Sequence, residues 1–287
     1  MKCINDGYFI VTNPYNGRSA KVDVCPELVH SIVFWSKNYD RFIESRAGEL
    51  LEKSGFNLYF NFTVNSQNKL LEPGIPMLDK RLDQIKKLAK VFGPEKIAWR
   101  FDPVCFFRAG SDTDISTNLS DFELIAHTAS DSGITKCVTS FFDNYAKIRK
   151  RLDFMKRKGL FDIEFTDPSI EKKKQILLRM QDCLDKKGMS LYLCCEKHLL
   201  EELGPDTRIQ ANACIDGHLL KDLFGGAPDT AKDKGQRSKS GCCCTKSIDI
   251  GSYRDHPCFH NCLFCYASPA MDRNIKKRIL SNENKKP

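Results

Sequence analysis

No stretch of this sequence approaches the ~18 consecutive apolar residues of a membrane-spanning helix, which excludes a helical membrane protein. The opening residues, "MKCINDGYFIVTN", lack the apolar core and small-residue cleavage site of a secretory signal, so the expected compartment is the cytoplasm, with no membrane partner. The basic runs "KIRKRLDFMKRKG", "EKKKQILLRM" and "NIKKRILSNENKKP" lack the regularly interleaved aromatics of a single-strand binder. They carry part of the chain's net charge of +8 over 287 residues and read as solvated helix faces, and nucleic acid is a partner the sequence does not support. The most informative absence is at the C-terminus. In "CFHNCLFCYA", Cys258, Cys262 and Cys265 stand close together without a fourth cysteine in the same loop.

Cysteine itself is plentiful. There are 14, and in a reducing compartment such a number points to metal or catalysis before disulfides. Cys3, Cys25, Cys105, Cys137 and Cys183 are scattered and read as small buried hydrophobes. The others crowd between Cys194 and Cys265.

Pattern along the chain predicts an α/β fold. "GYFIVTNPYNGRSAKVDV" has extended runs on either side of Asn13-Pro14-Tyr15-Asn16-Gly17, which predicts a hairpin over 7–24. Short apolar strands then alternate with helical patterns. The strands are read at 31–35, 57–64, 96–104, 134–142 and 190–196. The helices are read from about 41, and at 78–92, 119–130, 147–159, 169–187 and 197–203. Strand-then-helix repetition implies parallel strands joined by crossover helices. An open doubly wound sheet and a partial or complete (β/α) TIM-type barrel both fit. The barrel is favoured because polar residues recur where strands end: Lys37, Asn38, Thr63, Arg100, Asp102, Asp143 and Glu196. Asp143 and Glu196 serve equally well as helix caps. The expected organisation is a barrel body over 1–224, a linker or mobile loop over 225–240, and a cysteine-rich metal-binding tail over 241–287.

Thiolates suit zinc, copper(I) and iron–sulfur clusters. Three of them on a [4Fe–4S] cluster leave one iron without a protein ligand, open to a substrate or cofactor. His256 or His260 would instead complete a Cys₃His zinc site, although zinc folds usually divide four ligands into two separated pairs.

Cys258, Cys262 and Cys265, with Phe264 before the third, resemble the signature of the radical S-adenosylmethionine (SAM) superfamily. "TNPYN", "IVFWSKN", "LEPGIP", "WRFDP", "SFFDNYAK", "ACID" and "KSIDIGSYRDHPCFHNCLFCYA" resemble one branch of it, of unassigned function and related at a distance to spore photoproduct lyases. The resemblance implies a (β/α) barrel and a [4Fe–4S] cluster on Cys258, Cys262 and Cys265 whose open iron chelates SAM. It also implies reductive cleavage to a 5′-deoxyadenosyl radical, which abstracts hydrogen from an unknown small or macromolecular substrate, and an electron donor such as flavodoxin or ferredoxin. Lys37, Arg100 and Asp102 are the rim candidates for catalysis, and Phe264, Tyr266, Arg100 and Asp102 for cofactor contact. Relatives in that branch carry another strand ahead of "TNPYN", so an incompletely closed barrel is expected here. Cys195, Cys214, Cys242 and Cys244 match further cysteines of the branch and would close a second site, an auxiliary [4Fe–4S] cluster or zinc. Strand alternation would turn Cys194 away from it. The alternatives to an enzyme are a non-catalytic iron–sulfur or zinc protein and a nucleic-acid repair protein.

Overall fold

The computed structural model describes residues 2–13, 17–110, 113–159, 162–234, 240–252 and 258–266. The turn centre at 14–16, the linker stretch 235–239, His256 and the basic tail all lie outside them. Helix α1 (Lys2–Asn5) leads into the hairpin of β1 (Tyr8–Thr12) and β2 (Ser19–Asp23), paired antiparallel from Tyr8↔Asp23 to Thr12↔Ser19. Then follow β3 (Ser31–Ser36), α2 (Asp40–Glu44), α3 (Ala47–Lys53), β4 (Asn57–Thr63), α4 (Leu78–Phe92), a 3₁₀ turn (Pro94–Lys96) and β5 (Ile97–Val104). Next come β6 (Phe106–Ala109), β7 (Ser116–Thr117), α5 (Phe122–Asp131), β8 (Lys136–Phe141), α6 (Ala146–Arg157), β9 (Ile163–Thr166) and α7 (Ile170–Asp185). The described elements end with β10 (Ser190–Leu193), α8 (Lys197–Leu203), β11 (Gln210–Ala211) and α9 (Gly217–Phe224).

Six strands make one parallel sheet in the order β11-β10-β8-β5-β4-β3. Spatial order follows chain order throughout, whereas a doubly wound sheet reverses at a switch point. Period-2 alternation sorts the side chains onto two faces. On one face Leu58, Phe60, Phe62, Trp99, Phe101 and Leu191 meet the crossover helices in the main core. These helices bury stripes spaced three and four residues apart, such as Leu78, Ile85, Leu88 and Phe92 of α4. On the other face Tyr59, Ala98 and Val138 pack with Cys194 against Leu219, Leu220, Leu223 and Phe224 of α9. Asp216 caps α9 by accepting N–H bonds from His218 and Leu219, both at 3.1 Å. No strand pairing closes β3 onto β11 among the described residues, so the closed form of the expected barrel is not what forms.

The structure departs from the sequence expectation in two further places. β6, β7 and β9 form a separate antiparallel sheet in the order β7-β6-β9, an excursion the strand–helix count did not include. The expected linker is also in part held down. Lys232 bridges Thr245, Asp233 N–H donates to the Cys244 carbonyl at 2.9 Å, and Lys246 N–H donates to the Ala231 carbonyl at 2.9 Å. Its composition reads as loop because these bonds come from the distant cysteine segment, not from any local period.

Candidate functional site

The loop carrying Cys258, Cys262 and Cys265 docks at the C-terminal edge of the parallel sheet, where open α/β sheets place their ligands. Leu263 and Phe264 are its anchors, buried with Leu71, Ile75, Phe107 and Met155. Backbone bonds fasten it to the loop after β4: Leu263 N–H to the Leu71 carbonyl, and Gly74 N–H to the His260 carbonyl, both 2.9 Å. Arg151 of α6 donates to the carbonyl of Cys262 at 3.2 Å, and Lys147 to that of Tyr266 at 3.1 Å. Tyr266 also meets Tyr145, ring centres 5.5 Å apart. Phe264 is therefore buried, while Tyr266 is largely exposed on the rim.

Gly74 is required by this docking. A Cβ there would stand 2.4 Å from the Phe259 carbonyl oxygen and 2.7 Å from that of His260, both rigid backbone. Gly74→Ala is expected to destabilise the protein by about 1–3 kcal/mol, the usual penalty of overpacking, and to loosen the cysteine loop. Denaturant unfolding, with hydrogen exchange of the Leu263 amide as a second readout, checks this; unchanged stability and exchange would mean that the loop does not dock here.

Beside the loop, Lys37 follows β3 and sends its ammonium to Glu72 Oε1 at 2.7 Å. The same ammonium lies 5.1 Å from the Phe264 ring centre, and Cys262 Sγ is 3.7 Å from Glu72 Oε1. Lys37 Nζ is buried and, among the described residues, finds no well-directed hydrogen-bond acceptor. Burial alone would lower its pKa, but Glu72, Cys262 and Asp102 together hold it above the ordinary lysine value. The Cys262 thiol is pushed well up, first by burial and then by Glu72.

Arg100 and Asp102 share a face of β5, as their spacing predicts. Their guanidinium and carboxylate meet at 2.5 Å, and Ser140 Oγ donates to the second Asp102 oxygen at 2.5 Å. Burial would raise the Asp102 pKa, yet Arg100, Ser140 and Lys37 hold it below the usual carboxylate range. Arg100 Nη1 also donates to Cys214 Sγ at 3.2 Å, so its guanidinium is committed to Asp102 and to the second cysteine group. Neither suspected cap caps a helix. Glu196 accepts the Phe141 N–H at 2.9 Å, and Asp143 accepts from Tyr145 at 3.0 Å.

The second cysteine group lies where β10 and β11 end. Cys194 Sγ is 3.3 Å from Cys214 Sγ and 3.9 Å from Cys195 Sγ. Cys244 Sγ accepts N–H bonds from Cys214 at 3.2 Å and Ile215 at 3.5 Å. Cys195 is expected among the ligands and Cys194 in apolar packing; Cys194 is indeed buried with Tyr59, Ala98 and Val138, and its thiol, one residue past the end of β10 at Leu193, also touches Cys214. Cys195 adopts φ 60°, a left-handed conformation. Cys242 is buried but, among the described residues, makes no hydrogen bond to these thiols. The Cys194 thiol is pushed up to about 12: contact with Cys195 lowers it, and contact with Cys214 and burial outweigh that. Among the described residues, no three His, Cys, Asp or Glu side chains are already arranged as a cage for a metal ion.

Glu72 was not singled out from the sequence, nor were Asn65, whose side chain brackets the Asp102 backbone at 2.9 and 3.2 Å, and Ser140. The signal for Glu72 was its place in "LEPGIP", beside a glycine with no room for a side chain.

A family model described as a domain of unknown function (DUF1848) matches residues 1–267. No curated protein matches the chain. Among solved structures, a D-hydantoinase is similar at 12% identity and a TM-score of 0.29, over 63% of this chain and 38% of its own. A D-hydantoinase from Bacillus sp. AR9 gives the same values. Morphinone reductase is similar at 12% identity and a TM-score of 0.34, over 87% of this chain and 62% of its own. The chain thus spans less than two thirds of each of these proteins.

Proposed function

The chain belongs to the DUF1848 family, and from that premise we propose that it is a radical SAM enzyme built on a partial (β/α) barrel. The observation that carries the reading is the placement of a compact three-thiol loop at the C-terminal edge of a parallel sheet. A buried lysine ammonium and an ion-paired carboxylate stand directly beside it. The singly wound strand order and the gathering of crossover helices on one face support the partial barrel.

The donor set fits a [4Fe–4S] cluster. Cys258, Cys262 and Cys265 lie on one short loop, three thiolates that would leave the fourth iron of the cluster open to a ligand. When bound, the cluster supplies one electron to SAM, which yields methionine and a 5′-deoxyadenosyl radical able to abstract hydrogen from a substrate. The chain's own residues do the rest. Leu263 and Phe264 fix the loop and keep water from the thiol side. Lys37 offsets negative charge at the thiolates and provides a cation for the carboxylate of SAM. Glu72 keeps that ammonium charged and in place until the ligand arrives. Tyr266, exposed at the rim, offers a ring for the adenine.

Anaerobic reconstitution tests the reading directly. About four iron and four sulfide per chain on the triplet, with 5′-deoxyadenosine formed from SAM and a strong reductant, are expected; stoichiometric zinc without sulfide would sink it. A charge-neutral double variant, Lys37→Met with Glu72→Gln, leaves no unpaired buried charge. It is expected to keep its iron while its KM for SAM rises by roughly 10–100-fold, the worth of one charge-assisted contact. An unchanged KM would remove Lys37 from the cofactor site.

A further inference from the structure

We propose that Cys194, Cys195, Cys214 and Cys244 form a four-thiolate site for a single tetrahedral divalent ion of the zinc class, separate from the triplet loop. The spacing chooses between the two expected kinds of site. Four sulfurs at ~2.3 Å from one ion stand about 3.8 Å apart, the edge of the tetrahedron. The observed separations, 3.3 Å for Cys194–Cys214 and 3.9 Å for Cys194–Cys195, bracket that edge. In a cubane cluster each thiolate binds a different iron, so the sulfurs are spread wider than these are.

Two further observations converge on the same centre. Cys195 holds φ 60° although it is not glycine, a backbone conformation that costs on the order of 1–3 kcal/mol and recurs at functional sites. The sulfurs are also surrounded by donors. Cys214 Sγ receives Arg100 Nη1 at 3.2 Å and Asn212 Nδ2 at 3.4 Å, and Cys244 Sγ receives the two backbone N–H groups of Cys214 and Ile215. Donors of this kind stabilise thiolates and orient metal ligands.

Cys194 Sγ touches Cys214 and Cys195 Sγ, and Cys244 Sγ reaches the same turn through the N–H groups of Cys214 and Ile215, so the four thiols gather at one place. Binding releases the thiol protons, and the Arg100 guanidinium offsets part of the charge that remains. The ion ties the ends of β10 and β11 to the segment around Cys244, which is otherwise held by a few hydrogen bonds, such as Thr245 N–H to the Ile215 carbonyl at 2.9 Å. The site therefore staples the cysteine segment onto the face covered by α9.

The test uses the full chain with Cys258, Cys262 and Cys265 all changed to Ser, so that failure here and failure of the cluster reading are separable. Titrated anaerobically with Co²⁺, this protein is expected to bind one equivalent with the strong visible absorption of tetrahedral cobalt thiolate, displaced by one equivalent of Zn²⁺. Cys194→Ser and Cys214→Ser should each weaken binding at least tenfold, whereas Cys242→Ser and Cys243→Ser should leave it unchanged. Zinc X-ray absorption on the same protein needs no further substitution, and so covers the case in which a cysteine variant fails to fold. It is expected to count four sulfurs at ~2.3 Å. Nitrogen or oxygen in that shell, iron with sulfide in place of a single ion, no stoichiometric binding, or loss on Cys242→Ser with retention on Cys194→Ser would each overturn the assignment.

Discussion

Replacing Cys258, Cys262 and Cys265 together by Ala is expected to remove about four iron and four sulfide per chain. 5′-Deoxyadenosine formation from SAM and reductant should fall at least about a thousandfold, because no other step supplies the electron at the bond that breaks. The fold should survive. The anchors of the loop are Leu263 and Phe264 together with backbone bonds to Leu71 and Gly74, none of which the change touches. Cys262 is the one buried member of the three, and shortening it should cost roughly 1 kcal/mol. Iron analysis, a product assay and thermal unfolding of parent and variant together decide the matter. An active variant would show that the triplet is not the reaction centre, and a collapsed one would show that it serves the fold.

The second large effect is expected at Asp102. Asp102→Asn removes the anion from a guanidinium that is only 4% exposed, and breaking a buried pair from one side typically costs about 3–5 kcal/mol. The effect should depend on pH with a definite sign. The folded-state pKa of Asp102 is depressed, so its stabilising contribution is complete above the unfolded carboxylate value near ~3.9 and is lost as pH falls through the lower folded value. Parent and variant should therefore differ most at neutral pH and converge in acid. The double change Arg100→Met with Asp102→Asn should recover most of the loss, since it leaves no charge stranded. Urea unfolding at several pH values measures all of this; a loss under ~1 kcal/mol at pH 7 would contradict the pairing.

Much of the framework was legible because it is local. The α4 helix runs 78–92, as its apolar spacing predicts, and the β4 and β5 runs fall within one residue of expectation. Arg100 and Asp102 were read at the end of the β5 strand, and both lie within it. What escaped is non-local. The strands β6 and β9 are four residues each and find one another across 50-odd residues, so neither is long enough to declare a partner. The α9 helix is apolar on the side that covers Tyr59 and Val138, but that stripe falls within eight residues and is hard to tell from loop. The contact of Cys194 with Cys214 lies just past the end of β10, beside a left-handed residue, Cys195, that the letters do not announce. The commitment of Arg100 to Cys214 joins residues 114 apart, and no spacing rule reaches that far.

The docking of the cysteine loop has a consequence for how the protein is made. Cys262 meets Glu72 across 190 residues and His260 meets Gly74 across 186. At a ribosome adding about 5–20 residues per second, the loop emerges roughly 10–40 s after the surface that receives it. During that interval Leu71, Ile75 and Phe107 lack the cover of Leu263 and Phe264, and a sticky patch faces water or a chaperone. The nascent body waits for its last segment, and the three thiols meet the cell's iron or zinc before they meet the surface on which they will sit.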